Sequence, residues 1–420
     1  MRIAIVGAGV GGLTAALSLH AAGYDDVVLL EAAREIRDVG VGINLPPHAV
    51  RELTELGLEG DLARSGLPTR ELAYYDPAGQ LIWAEPRGLD AGYRWPQYSI
   101  HRGQLQRILV DAVGKRLGQS AIKTGQRATR VNQESAGQVH IEAVDQFSGR
   151  SVSHTADAVV AADGIRSAVR DCLNGGVTPL ASNGWVMYRG TTRAEPFLTG
   201  ATMIILGDET QRIVVYPIAP GLLNWLLVRP RSEAATAELG NWNVGVAPDV
   251  VASFVEQYRF DWLDIHRLIS AASEAYEYPM ADIDPLPRWI FGRCALLGDC
   301  AHAMYPFGSN GASQAILDAR VLAYNMATAG NIDEALHGYE AHRRPVASGV
   351  QLANRRQAGD IMAKVSAMAR RGAHGDAATE LRDAERSYRQ LAGFDVDELN
   401  SRKSWSAQRL SSDRTERTRF

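Results

Sequence analysis

The sequence predicts an α/β protein in which a parallel-sheet domain carries an inserted antiparallel β-sheet domain and ends in C-terminal helices. Three observations predict it. The N-terminus runs from an apolar strand through a glycine-rich turn into a helix, residues 182–276 break into short β-rich runs, and the chain turns helical after residue 329. With 420 residues, 46% hydrophobic and 22% charged, the chain has the material for two or three domains.

The first element is "MRIAIVGAGVGGLTAALSLHAAGYDDVVLLEA". Ile3 to Val6 form a β-branched strand, Val10 to Ala22 a helix stopped by Gly23, and Val27 to Leu30 a second strand ending at Glu31. Gly7, Gly9 and Gly12 fall at the strand-to-helix turn. The first permits the tight turn, the second lets a pyrophosphate approach the backbone, and the third lets helix pack on strand; the helix N-terminus adds N–H donors and partial positive charge. Glu31, nineteen residues after Gly12, is placed to accept hydrogen bonds from ribose hydroxyls and disfavours a 2′-phosphate. This reads as a Rossmann-like dinucleotide site rather than a merely glycine-rich loop, and the motif alone fits NAD and the ADP half of FAD equally. The same apolar run has no basic segment beyond Arg2 and is interrupted by glycines, so it reads as a strand and helix rather than a signal peptide or membrane span.

The next elements extend this core. "ELAYYDPAGQLIWAEP" reads as strands of the inserted sheet, joined between about Ser182 and Tyr276 by "GWVMYRGTT", "ATMIILG", "QRIVVYPI" and "LLNWLLVRP". Further on, "RWIFGRCALLGDCAHAMYP" places a strand at about Cys294 to Leu297 and stops it at Gly298 and Asp299; Pro306, Gly308 and Gly311 then lead into a helix from about Ala312 to Ala329. Asp299 has two readings: it accepts hydrogen bonds from a second polyol, which the ribityl chain of FAD supplies and NAD does not, or it caps a turn that merely joins strand to helix. Beyond Ala329 a helical stretch broken by Pro345 leads to a polar end, read as a small helical appendage or partly ordered tail. The expected division is residues 1–75, 99–181 and 277–360 for the nucleotide-binding domain, 76–98 and 182–276 for the sheet domain, and 361–420 for the appendage.

Composition removes several functions. A net charge of -4 gives no electrostatic footprint for nucleic acid. Cys172, Cys294 and Cys300 are too few and too irregularly spaced for a disulfide framework or a zinc site, which fits the cytoplasm, and no His or carboxylate set suggests another metal. Neither stable membrane association nor more than a monomer or homodimer is expected.

The chain resembles the FAD-dependent class A aromatic hydroxylases, which are single-component flavoprotein monooxygenases. Three motifs carry the resemblance in order: Gly7, Gly9 and Gly12 with Glu31; "ADGIRSAVR" with Asp163, Gly164, Ser167 and Arg170; and "LLGDCAHAMYP" with Gly298, Asp299, His302 and Pro306. "GVGIN", "PQYSIHRGQLQ", "YPMADIDPLP" and "MYPFGSNGASQAILD" are similar to the phenazine-carboxylate members. The resemblance, covering roughly residues 1–360, implies a glutathione-reductase-like FAD domain. It places Asp163 and Gly164 against FAD and the nicotinamide, Arg102 of "HRGQLQRIL" near the flavin phosphate or ribityl region, Asp299 on the polyol, and Pro306, Gly308 and Gly311 at the ring edge. NADH or NADPH is then a transient co-substrate, since only one glycine-rich fold is present. The implied reaction is hydroxylation of an aromatic or heteroaromatic substrate by O2 through a flavin C4a-hydroperoxide, decarboxylative where the attacked carbon bears a carboxylate. An oxidoreductase without oxygen insertion is the alternative.

Over the flavin, Trp185, Tyr188, Tyr216, Trp225, Tyr305 and Phe307 are candidates for an apolar wall that accepts a planar ring. Tyr216 leads them, because the resemblance sets a Tyr-Pro pair close to the ring, which makes it a catalytic candidate as well. Arg189 either pairs with a substrate carboxylate or is a solvated strand residue. His48, in "NLPPHAV", is either a base for a substrate hydroxyl or a surface histidine at a helix start. The chain lacks the Trp-x-Trp-x-Ile-Pro stretch and the lysine of a flavin halogenase.

Overall fold

The computed structural model describes residues 1–37, 40–133, 137–231, 239, 244–356 and 362–406. Ile3–Val6, buried on both sides, is a central strand of a six-stranded sheet ordered Ile290–Phe291, Cys294–Leu296, Ala158–Ala161, Ile3–Val6, Val27–Leu30, Ile122–Lys123. All neighbours are parallel except the Ile290–Phe291 edge. Such doubly covered strands read as continuous apolar runs, which is why "IAIV" and "VVLL" carry no alternation. The helix Val10–Ala21 packs over this sheet and against the helix Gly311–Thr328: a Cβ added at Gly11 would sit 2.7 Å from Leu297 Cδ2 and 3.2 Å from Ala315 Cβ.

The second sheet has eight strands, ordered Val244–Val246, Ala275–Pro279, Trp185–Arg193, Leu222–Pro230, Arg212–Ala219, Thr202–Gly207, Glu71–Tyr75, Leu81–Pro86. Only Thr202–Gly207 against Glu71–Tyr75 is parallel. The division anticipated after residues 75 and 276 therefore falls at the end of one strand of this sheet and inside another, because both complete their backbone hydrogen bonds in its ladder. A small sheet of Gly42–Leu45, Gln97–His101 and Leu67–Thr69 packs against the Arg212–Ala219 strand of the larger sheet.

Alternation sorts the eight strands into two faces. Ile204, Leu206, Ile213, Val215, Leu223, Trp225 and Leu227 form a core with residues of the helices Pro248–Ala252 and Ile265–Ser270. Met203, Ile205, Arg212, Val214, Leu226 and Val228 point the other way, toward a cavity.

Pro345 does not break the helix it occupies, which runs unbroken over Ile332–Arg356. Arg343 Nε on Asp318 (2.7 Å) and Gln351 Nε2 on Ala303 O (3.0 Å) anchor it on both sides of the proline, so the lost backbone bond is outweighed. The helices Met362–Arg370, His374–Leu391 and Val396–Ser401 are packed parts of the molecule rather than an appendage. Val365, Ala369, Ala377 and Leu381 share a core with Leu72, Tyr74, Ile82 and Trp83 of the sheet. Residues 407–420 of the anticipated tail lie outside the described residues.

Candidate active site

The glycine turn has the shape a pyrophosphate needs. A Cβ at Gly7, where φ is +101°, would sit 2.3 Å from Ala162 O, and one at Gly12 would sit 2.0 Å from Gly7 O, so only glycine lets strand, turn and helix close up. At Gly9 a Cβ would meet nothing within 4 Å: its space is open on the side a ligand would approach. Glu31 Oε2 accepts from Ala8 N (2.7 Å) and Oε1 from Ala33 N (2.8 Å), which fixes the carboxylate beside the turn with lone pairs left for a ribose. These residues fit a dinucleotide.

The second motif is tied to the third. Asp163 accepts from Ser167 Oγ (2.5 Å); burial pushes its carboxyl up, opposed by that hydrogen bond. The guanidinium of buried Arg170 donates to Cys300 O (3.3 Å), Ile165 O (2.8 Å) and Thr178 Oγ1 (2.9 Å). Gly164, at φ +85°, turns the chain between them. Behind the third motif, buried Asp318 accepts from Gly298 N (3.0 Å), His302 Nε2 (2.5 Å) and Arg343 Nε (2.7 Å). Burial works against its charge, but His302 and Arg343 outweigh that and hold the carboxyl low. Asp299 itself is exposed at the start of the short helix Asp299–His302.

Across from Asp299 lies the sheet. Gly42 N donates to Asn224 Oδ1 (2.6 Å), and a Cβ at Gly42 would meet Ile218 Cγ2 at 2.7 Å, so the 42–45 strand runs flat against the sheet. Tyr216 is buried beside Asn224, its phenol pushed up chiefly by burial. Arg189 lies 5.0 Å from the Tyr278 ring centroid. The Tyr278 phenol is pushed up by burial and then by the Asp299 carboxylate, against the opposing charges of Arg189 and Arg102. Asp299, Tyr278, Arg189, Arg102 and Tyr216 are therefore linked electrostatically as one polar patch. Arg189 does not line the cavity beyond it.

That cavity, about 160 Å³, is walled by the sheet face, by Pro306, Phe307, Gly308 and Ser309, by Leu381, Ala384, Glu385 and Tyr388 of the C-terminal helix, and by Phe394. Its lining is mostly apolar. Arg212, 5% exposed, lines it with its guanidinium 5.4 Å from the Phe307 ring centroid and 5.7 Å from that of Trp185. Burial pushes Arg212 down to about 10. At the far end Tyr74 donates to Glu385 Oε1 (2.9 Å) and Arg87 to Glu385 Oε2 (3.0 Å). Burial opposes the Glu385 charge, but Arg87 and Tyr74 outweigh it and keep the carboxyl below its ordinary range.

Of the expected contacts Phe307 lines this cavity, whereas Tyr188, Trp225, Tyr216, Arg189 and His48 do not. Tyr188 and Trp225 stand on the opposite face of the sheet: Trp225 Nε1 donates to Thr192 Oγ1 (3.0 Å) in the core, and Tyr188 packs 5.7 Å from Phe254. Their neighbours Met187 and Leu226 point into the cavity, as alternation requires. His48 is not a surface residue and does not line the cavity. It is fully buried, stacked on Phe394 at 4.6 Å, with Nε2 3.0 Å from Asn310 Oδ1, and burial pushes it down to about 3, so it stays neutral. Gly308 (φ +76°) and Gly311, which opens the helix Gly311–Thr328, shape the loop above it.

A family described as an FAD binding domain matches residues 1–353. The chain is 45% identical over 363 residues to phenazine 1,6-dicarboxylic acid hydroxylase PhzS of Lysobacter antibioticus, covering 84% of this chain and 89% of that protein. This protein belongs to the FAD-dependent aromatic hydroxylases. Salicylate hydroxylase of Pseudomonas putida is 30% identical over 384 residues, 84% of each chain. Klebsiella pneumoniae HpxO, solved with FAD and uric acid, superposes with a TM-score of 0.77 at 26% identity over 94% of this chain and 96% of that one. The cofactor of this hydroxylase is FAD, and its class uses NAD(P)H as co-substrate. No helix among the described residues is long and apolar enough to cross a membrane.

Sequence reasoning missed four cavity residues of the hydroxylase: Arg212, Tyr74, Glu385 and Tyr388. Arg212 carried a usable signal, since in "RIVVYPI" it alternates into phase with Tyr216. Tyr74 and Glu385 meet across 311 residues of chain, and Tyr388 packs on Gly308, 80 residues before it.

Proposed function

We propose that this hydroxylase acts on a planar, fused aromatic ring bearing a carboxylate, with NAD(P)H as reductant and O2 as oxidant. The observation that carries the substrate class is Arg212, a buried cation beside the Trp185 and Phe307 rings in a mostly apolar cavity whose other charges, Arg87 and Glu385, pair with each other. A guanidinium so placed binds a carboxylate through charge-assisted hydrogen bonds, while Met187, Val214, Leu226 and Phe307 accept the ring. That a relative at 45% identity is named for a phenazine dicarboxylate supports the same class.

FAD, when bound, supplies the activation of O2 for attack on an electron-rich ring. The chain's own groups hold and orient. Gly7, Gly9 and Gly12 take the pyrophosphate, Glu31 the ribose, Asp299 and Arg102 the polyol and phosphate region, and Asp163 with Gly164 the turn between them. Tyr216, kept protonated by burial, is a hydrogen-bond donor at the cofactor end of the site, where Arg189 adds positive charge. Arg212 sets which edge of the substrate faces inward. If the attacked carbon is the one bearing the carboxylate, CO2 leaves as the ring rearomatises. A cytoplasmic location, supported by three free cysteines, and a monomer or homodimer belong to the same proposal.

The test is a flavin-loaded preparation challenged with an aromatic acid, its carboxamide and the unsubstituted ring. The acid is expected to stimulate NAD(P)H oxidation most strongly. Equal stimulation by acid and carboxamide would refute the carboxylate assignment.

A further inference from the structure

We propose that the helix His374–Leu391 is the size-selecting wall of the substrate cavity, with Leu381 and Ala384 as its specificity-determining residues. This rests on the substrate class proposed above. The family match ends at residue 353, yet Leu381, Ala384, Glu385, Tyr388 and Phe394, all beyond it, line the cavity opposite the sheet. Leu381, Ala384, Glu385 and Tyr388 are spaced three, one and three apart, which puts them on one stripe of the helix.

The stripe is held rigidly at both ends. On the sheet side, Tyr74 and Arg87 both donate to Glu385, and Arg389 Nη1 donates to Glu85 Oε1 (2.8 Å). On the loop side, the Tyr388 ring packs on Gly308: a Cβ there would lie 2.5 Å from Tyr388 Cζ. Tyr388 also meets Phe394 edge to face at 6.3 Å, and Phe394 stacks on His48. A wall fixed to both the sheet and the 306–309 loop cannot retreat from a large substrate. Its side-chain volume at 381 and 384 therefore limits how far a ring system extends, and Ala384 is the position where the wall is thinnest.

The test titrates flavin-loaded parent, Ala384→Phe and Leu381→Ala proteins with phenazine 1,6-dicarboxylate and with salicylate, reading binding from the visible flavin spectrum. Ala384→Phe is expected to weaken the three-ring acid at least about tenfold while salicylate changes less than about twofold. Leu381→Ala, which removes volume, is expected to move the ratio of the two dissociation constants toward the larger acid, and it decides the matter if Ala384→Phe does not fold. Parent-like ratios in the folded variants would overturn the selecting wall while leaving the substrate class intact. A parent protein that binds neither acid would overturn both.

Discussion

Replacing Arg212 with Met removes one charge from the cavity while nearly conserving volume. Because the guanidinium is buried beside the Trp185 and Phe307 rings, an anion beside it is poorly screened by water. The charge-assisted hydrogen bond lost is worth about 1.5–3 kcal/mol, which is about 10- to 150-fold in the dissociation constant of an aromatic acid. An anchor of this kind acts equally in the ground and transition states, so KM rises with kcat little changed. The assay is a two-by-two comparison of parent and variant with the acid and its carboxamide. Parent protein prefers the acid and the variant does not. A variant that still prefers the acid as strongly as the parent would refute the role of Arg212.

The glycine turn predicts a split between two similar changes. Gly12→Ala drives a Cβ to 2.0 Å from Gly7 O and lowers the melting temperature of the apoprotein, whereas Gly9→Ala leaves that temperature near parental and weakens FAD binding; equal effects on both readouts would contradict the geometry. Asp299→Ala is expected to weaken FAD retention by about 1–3 kcal/mol, followed by flavin fluorescence on dilution, and unchanged affinity removes Asp299 from the cofactor site. His48 is held neutral, its pKa lowered from 6.5 to about 3, so its contribution to stability is complete above 6.5 and is lost as pH falls from there toward 3. Parent stability should lose about 1.4 kcal/mol per pH unit relative to His48→Gln in that window, with no shift in the pH dependence of turnover; a shifted turnover profile would restore His48 as a base.

Much of this was legible in the sequence where physical constraints are local. A β-branched strand, three glycines and an acid at a strand end leave few alternatives, and the open space at Gly9 with blocked space at Gly7 and Gly12 is what those spacings imply. The strands of the second sheet were legible as β-rich runs, whereas which face each residue takes depends on their phase. Tyr188 and Trp225 follow residues that face the cavity or precede them by one, so the period of two sends both into the core, while Arg212 shares phase with Tyr216. His48 could not be read locally: its burial is created by Asn310 and Phe394, 262 and 346 residues away in the chain. The same holds for the C-terminal helix, whose polar, exposed-looking composition hides the stripe that Glu385 fastens to Tyr74 and Arg87.

The central claim is that this hydroxylase, loaded with FAD, oxygenates an aromatic acid lodged beside Arg212. Turnover of flavin-loaded protein under isotopically labelled O2, with NAD(P)H and phenazine 1,6-dicarboxylate, tests it most directly through the mass of the product. The predicted result is a product carrying one labelled oxygen atom, with or without loss of CO2, in step with NAD(P)H consumed. NAD(P)H oxidation that yields only hydrogen peroxide, with the acid recovered unchanged, would contradict it.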